Sequence, residues 1–421
     1  MPLKFKWETE FKETEIGEVP RDWEVISISD SSFAIIMGQS PPSKYYNKES
    51  KGTLFIQGRK DFGDLYITPT TYTEKCSKTA PPNSALLTVR APVGDVNITK
   101  DEVCIGRGLA AIYNVNGNPT SNRFIYYVLV GLKDYIASLG ERGTTYEEII
   151  KEDLENLLVP HPSPSEQSRI ATVLSWFDDL IENKKRQNEI LEKTAMAIFK
   201  SWFVDFEPFK DEEFVYSEEL GKEIPMGWEV NFVTRLIDYN PSIRLEKEEV
   251  YPFVEMKQVY TNSAVCEFSF RKFNGSGVKY YGGDTLMARI TPSLEHGKTA
   301  FVWFISENEK GFGTTEFFVL HPKKSWLKEF IYLLAKNEDF RDTAINSMTG
   351  TSGRQRADVE ALKSYLIPIP PPLILQKFHS LVEPLFQKII LNQKQTMILR
   401  KIRDTLLPKL VFGKLRVEVL R

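Results

Sequence analysis

Gly17-Glu18-Val19-Pro20-Arg21-Asp22-Trp23-Glu24-Val25 is answered later in the chain by Lys222-Glu223-Ile224-Pro225-Met226-Gly227-Trp228-Glu229-Val230, an offset of 205 from Pro20 to Pro225. The echo continues. Phe124-Ile125-Tyr126 returns as Phe330-Ile331-Tyr332, Gly143-Thr144 as Gly350-Thr351, Leu158-Val159-Pro160 as Leu366-Ile367-Pro368, and Asn183 and Leu191 as Asn392 and Leu399. The offsets drift only between 205 and 209. One architecture has been duplicated and then edited by small insertions, and each copy runs on into a helical stretch. Such a chain is built to touch two similar targets at a set separation.

The length of 421 residues exceeds what a single core usually organises. We expect an α+β chain: two similar domains at 1–162 and 211–370, with helical spacers at 163–210 and 371–421. Short apolar runs bounded by turn residues predict strands at Leu54–Ile56, Ala85–Val89 and Leu109–Tyr113 in the first copy. The second copy has them at Phe253-Val254, Thr285–Ala288 and Phe317–Leu320. The expected sheets are twisted and mostly antiparallel. Helices are predicted at Asn122–Leu139 and Ser325–Ala344.

Beyond each Pro-rich joint the spacing changes to about 3.5. The first stripe reads Ile170, Val173, Phe177, Leu180, Leu191, Ile198, with Ser165, Glu166 and Gln167 as the capping group. The second reads Phe378, Leu381, Leu385, Leu399, Ile402, Leu406. Polar residues interrupt both at mid-length: Lys184 and Gln187, then Asn392 and Gln395. A central polar layer fixes register and lets two such helices run antiparallel with like layers facing. Some 36 helical residues make a rod of roughly 50 Å, comparable to about 15 base pairs.

Charge is uneven along a chain whose net value is −3. Residues 1–162 carry −4, 163–210 carry −1, 211–372 carry −5 and 373–421 carry +7. Any polyanion contact by the domains must therefore come from a localised face. Cys76, Cys104 and Cys266 show no paired spacing, which speaks against a disulfide framework or a thiolate metal site and for a reducing, cytoplasmic setting. No signal peptide or membrane span is legible.

Catalytic constellations are not found. The residues five before the glycines of Gly221-Lys222, Gly297-Lys298 and Gly413-Lys414 are Tyr216, Pro292 and Pro408, so no phosphate loop of that type exists. His161, His296, His321 and His379 lack ligand spacing, and no metal site is expected. Asn240-Pro241-Ser242-Ile243 lacks the second proline and the aromatic of an amino-methyltransferase segment, and Lys310-Gly311-Phe312-Gly313 is a faint glycine-loop lookalike. Asp238, Glu255 and Lys257 could be drawn as a nuclease set, but the first copy reads Gln57-Gly58-Arg59 at that strand.

The Ile/Val-Pro-x-x-Trp-Glu-Val openings, Gly38-Gln39-Ser40-Pro41-Pro42-Ser43-Lys44, the Pro160–Gln167 joint and Lys200-Ser201-Trp202-Phe203-Val204-Asp205-Phe206 together resemble the specificity (S) subunits of type I restriction-modification enzymes. The resemblance spans essentially the whole chain. It implies two target recognition domains, each reading half of a split double-stranded DNA site, and antiparallel helices that set the gap and dock two methyltransferase (M) subunits. It implies no catalytic group and no cofactor in this chain, with S-adenosylmethionine, ATP and Mg on partner subunits, the restriction (R) subunits among them.

Base reading needs side chains that offer paired donors or donor-acceptor pairs, with others gripping phosphates. Candidates in the first copy are Lys44, Tyr45, Tyr46, Gln57, Arg59, Lys60, Arg90, Arg107, Arg142, Thr144, Thr145 and Tyr146. In the second they are Arg244, Lys257, Gln258, Arg289, Thr291, Thr351, Ser352, Arg354, Gln355 and Arg356. The flanks Tyr146-Glu147-Glu148 and Arg354-Gln355-Arg356 differ in charge, so the two half-sites are expected to differ. The reading from another class is a coiled-coil scaffold joining two protein-binding domains without DNA contact.

Overall fold

A computed structural model describes residues 3–140, 148–351 and 353–419. The chain divides into two compact units, Met1–Ile181 with Ile398–Arg421, and Glu182–Met397. Each holds one α+β domain and part of both long helices, Pro164–Phe203 and Pro372–Val411.

The duplication is visible strand by strand. In the first unit a four-stranded antiparallel sheet has the order Val96–Ile98, Ala85–Thr88, Leu109–Asn114, Phe33–Met37. In the second unit the order is Thr299–Phe301, Thr285–Ala288, Phe317–Pro322, Ile237–Tyr239. Each unit adds a second sheet holding one parallel pair, Thr53–Ile56 with Val103–Ile105 and Val250–Val254 with Lys310–Gly313. Near-continuous burial of Ala85–Thr88 and Thr285–Ala288 explains why these read as unbroken apolar runs, since layers cover both of their faces.

Two boundaries differ from expectation. The first domain helix begins at Pro119, because Asn118 accepts from the amides of Thr120 and Ser121 and Pro119 suits the first helical position. What reads as one helix is two in each copy, Pro119–Gly131 and Lys133–Gly140, then Lys328–Lys336 and Glu338–Asn346. The second break is set by Asn337, which leaves helical geometry and caps the next helix through Phe340.

The repeated tryptophans have a structural reason. Trp228 is buried among Phe203, Phe206 and Phe209, where the first long helix ends. Trp23 packs beside Gly413, where the second long helix ends, and donates to Glu166 at 3.2 Å. Strands Leu3–Trp7 and Leu415–Val419 pair antiparallel in that same unit.

The long helices run antiparallel within each unit. In the second, Lys184 meets Gln395 at 2.5 Å, Asn188 meets Asn392 at 2.9 Å, and Phe203 meets Phe378 with ring centroids 4.8 Å apart. In the first, Asp178 holds Arg403 at 2.7 Å, and Ile170 and Leu174 share a core with Leu407, Leu410 and Val411. Partner numbers fall as the first helix advances.

The seam lies about one residue away from much of the sequence-read stripe. Ile170 and Phe378 are fully buried, and Phe177, Leu191, Ile198, Leu385, Leu399 and Leu406 flank the seam half-buried. Leu180, Leu381 and Ile402 face outward, with 50%, 47% and 40% of their surface exposed. The seam itself runs through Leu174, Asp178, Ile181, Asn188, Glu192, Ala195 and Phe199, and through Phe378, Val382, Phe386, Ile389, Asn392, Thr396 and Leu407. Polar members of that row misplace a stripe traced by large apolar side chains alone. The expected cap shifts too: the helix starts at Pro164, the Ser163 carbonyl accepts from Glu166 and Gln167, and Ser165 lies in the first turn.

Cys76 and Cys104 form a disulfide, correcting the expectation of unpaired cysteines. Antiparallel pairing of Cys104 with Thr79 brings the preceding loop alongside, a proximity that no local spacing encodes. Cys266 stays free and buried, its thiol pushed up to about 12 by burial. His321 is partnered: its Nδ1 lies 2.6 Å from the fully buried Asp284. Among the described residues no helix is long and apolar enough to cross a membrane, and no metal-binding cluster occurs.

Phe378→Ala empties a site enclosed by Phe199, Trp202, Phe203 and Phe330. Chemical denaturation should register a loss of about 3–5 kcal/mol. Leu381→Ala on the outer face should stay within about 0.5 kcal/mol; equal losses would place the seam wrongly. The Asp284 carboxylate raises the pKa of His321, while burial raises that of Asp284 itself, so the stabilisation from the protonated imidazole is present below 6.5 as long as Asp284 is ionised and declines as pH rises through the folded His321 value. Thermal melts should fall as pH rises above 6.5, and His321→Asn should flatten that decline.

Candidate nucleic-acid interface

In the first unit, backbone hydrogen bonds gather four segments at one end of the sheets. Gly38 N donates to Leu109 O at 2.8 Å, Gln39 N to Ile105 O at 3.0 Å, Gly106 N to Ile56 O at 2.8 Å and Val89 N to Gly108 O at 3.0 Å. The crossing is tight. A Cβ on Gly38 would stand 2.9 Å from Leu109 O, and one on Gly106 would stand 3.0 Å from Gln57 O and 3.2 Å from Ser40 Oγ. Glycine is required there by close approach of backbones.

This crossing carries Gln57, Arg90 and Arg107. Arg107 is exposed, and its amide donates to Ser40 Oγ at 3.2 Å. Arg90 donates to Glu148 through Nε at 2.9 Å and Nη2 at 2.7 Å. Arg59 and Lys60 lie in the turn Arg59–Asp61 that follows. Arg59 pairs with Asp95, which Lys133 also holds at 2.6 Å. Burial pushes the Asp95 pKa up, but the two cations outweigh it and leave the carboxyl below its ordinary value. Lys44, Tyr45 and Tyr46 sit apart, beside the edge strand Tyr46–Asn47: Lys44 and Lys75 each lie 5.1 Å from the Tyr45 ring, and Tyr46 donates to Pro41 O at 2.8 Å. Arg142, Thr144, Thr145 and Tyr146 lie outside the described residues.

The second unit repeats the crossing. Thr314 N donates to Val254 O at 3.2 Å, Arg289 N to Glu316 O at 3.0 Å and Ala357 N to Arg289 O at 2.8 Å. Arg289, Thr291, Gln355 and Arg356 meet here. Thr291 is buried, and its hydroxyl accepts from Gln355 N at 3.1 Å. Arg289 is half-buried, 5.0 Å above the Phe318 ring, with Nη2 on Ala357 O at 3.3 Å. Arg356 grips Glu316 through Nε and Nη2 at 2.9 and 2.7 Å, and the ion pair raises its pKa. Thr351 and Arg354 are exposed on the turn before it, while Ser352 lies outside the described residues. Lys257 and Gln258 occupy the turn after the parallel strand, where Lys257 pairs with Glu255 at 2.9 Å and Gln258 Oε1 accepts from Glu255 N at 2.8 Å. Glu255 also binds Arg271. Arg244 stands away from the crossing and pairs with Glu246 at 3.1 Å.

Glu148, Glu316, Asp95 and Lys133 escape a sequence reading that looks for cations to meet a polyanion. Three are acids, and the fourth lies on a helix; only the tertiary crossing reveals that they orient the arginines and share their acid.

The model for the type I restriction modification DNA specificity domain matches residues 20–193 and again 233–399. The chain belongs to this family of specificity proteins. Over 442 aligned residues it is 39% identical to the type I restriction enzyme MjaIX specificity subunit of Methanocaldococcus jannaschii, covering 99% of each chain. It is 47% identical to the putative MjaX specificity subunit of the same organism over 45% of this chain and 44% of that one. In fold it is similar to the crystal structure of the type I restriction-modification S subunit from M. genitalium, with a TM-score of 0.54 and 20% identity, covering 93% of this chain and 96% of that one. Each family match spans one copy of the duplicated domain and part of the helix after it.

For a specificity domain with such a crossing, Gly38→Ala separates framework from contact. It removes no polar group, yet forces apart backbones that meet within van der Waals distance. Thermal unfolding should show a loss of about 1–3 kcal/mol confined to the first unit. An unchanged melting curve would mean that the crossing is not rigid.

Proposed function

We propose that the chain is the DNA sequence-specificity subunit of a type I restriction-modification complex, non-catalytic itself. Residues 1–162 and 211–370 are its target recognition domains, each taking one half of a split, asymmetric site in double-stranded DNA. The helical spacers at 163–210 and 371–421 set the unread gap and dock two methyltransferase subunits. S-adenosylmethionine, ATP and Mg belong to the partners, restriction subunits included, and the complex acts in the cytoplasm.

One observation carries this reading: the specificity-family match falls twice, on domains that keep one sheet order while the side chains at their crossings differ. A framework held constant with altered loops is what two readers of different half-sites require. Docking is supported by outward apolar side chains on the long helices, Trp176 and Leu180 in the first unit and Ile190 in the second. The base contacts are assigned to the residues at each crossing, with the lysines and hydroxyls positioning phosphates.

The test is binding and methylation by the chain assembled with its methyltransferase subunits. Affinity for duplex DNA should fall roughly a thousandfold or more between 50 and 200 mM salt if six or more phosphates are held. Sequencing of methylated positions should return a bipartite motif with unlike halves. A perfect palindrome would refute the asymmetry, and salt-independent or absent binding would favour a protein scaffold.

A further inference from the structure

The two crossings can be superposed by their hydrogen bonds. Val89 N to Gly108 O and Ile149 N to Val89 O in the first unit correspond to Arg289 N to Glu316 O and Ala357 N to Arg289 O in the second. The bridges Arg90–Glu148 and Ile290–Arg356 complete the correspondence. Position 108 thus matches 316, 90 matches 290, and 148 matches 356. Both crossings carry an arginine–glutamate ion pair, but on different segments: Arg90 with Glu148, and Arg356 with Glu316. Where one copy has Arg90 the other has Ile290, and where one has Glu316 the other has Gly108. The framework needs neither placement, and exposed ion pairs contribute little to stability.

Both pairs are open to solvent, with side-chain exposures of 43% and 42% in the first unit and 46% and 25% in the second. In each, the carboxylate takes the Nε and Nη2 protons of the guanidinium. That leaves Nη1 and one Nη2 proton of Arg90 beside a carboxylate with unused lone pairs; in the second pair Arg356 Nη1 also reaches Arg354 O at 3.5 Å, leaving one proton on each of Nη1 and Nη2. A donor fork next to an acceptor complements the major-groove edge of a G·C pair, where guanine offers O6 and N7 and cytosine offers its N4 amino group. The carboxylate also fixes the guanidinium plane before binding, so less rotamer freedom is lost on contact.

We infer that Arg90–Glu148 and Arg356–Glu316 are the base-specifying pairs of the two domains, each reading one G·C pair, in opposite half-sites. This rests on the DNA-reading function proposed above. Transposition of the pair between segments makes the two readings unlike.

The experiment uses the full chain assembled with methyltransferase subunits and randomised duplexes, with Arg356→Gln, Glu316→Gln and Arg90→Gln beside wild type. Arg356→Gln should cost roughly 5- to 150-fold in discrimination at one G·C position of one half-site. Glu316→Gln should relax the same position. Arg90→Gln should act on the other half-site. In each case the untouched half-site reports that the variant is folded and assembled. A motif unchanged in all variants overturns the inference while the split-site function stands. So does a uniform loss across sequences with a shallower salt dependence, the mark of a phosphate contact. A wild-type complex that selects no sequence overturns both.

Discussion

The structure depends on a polar layer where two 40-residue helices meet. Asn392 is fully buried and donates to Asn188 at 2.9 Å and Gln187 at 3.2 Å, while Asn188 donates to Ile389 O at 3.3 Å. Sliding one helix by a turn would strand the amide N–H groups of Asn188 and Asn392 among Phe386, Ile389 and Ala195, and a buried donor without its partner costs about 1–3 kcal/mol. Apolar packing alone tolerates such slips. The layer converts a pair of sticky rods into a pair with one register.

Register would be of little use if the domains were loose on the helices, and buried acids remove that freedom. In the first unit Asp178 accepts from the Tyr127 hydroxyl at 2.6 Å and binds Arg403. In the second, Glu192 accepts from the Tyr332 hydroxyl at 2.5 Å. Both acids stand on the first long helix, and both tyrosines stand on the helix that covers a domain sheet. Aromatic packing of Phe330 against Phe199 and Phe203 surrounds the second contact. A buried acid bound by a phenol is directional where apolar packing is not, so within each unit the domain is fixed in rotation on its own helix segment.

Much of this is legible in the sequence because duplication doubles every weak signal. Strands at Ala85 and Thr285, or at Leu109 and Phe317, support one another although neither would stand alone. What fails does so for tertiary reasons. The seam drifts off Leu180 and Leu381 because Asp178, Asn188 and Glu192 hold seam positions that an apolar trace skips. The Cys76–Cys104 bond depends on strand pairing between distant segments. At the interface, Arg, Gln and Thr are visible as donors, but their partners are acids, and composition gives no reason to pair Arg90 with Glu148 or Arg356 with Glu316.

The division of labour between backbone and side chain follows from these facts. The crossings are held by amide-to-carbonyl bonds and by glycines such as Gly38, groups that carry no sequence information toward a ligand. Chemistry toward a ligand rests on side chains whose removal leaves those bonds intact. Gly108 opposite Glu316, and Ile290 opposite Arg90, show the consequence within a single chain: the same crossing accepts an acid, a glycine, a cation or an aliphatic residue at its rim. A scaffold of this kind can change what it reads without changing how it folds, because the energies that stabilise it and the groups that discriminate are carried by different atoms.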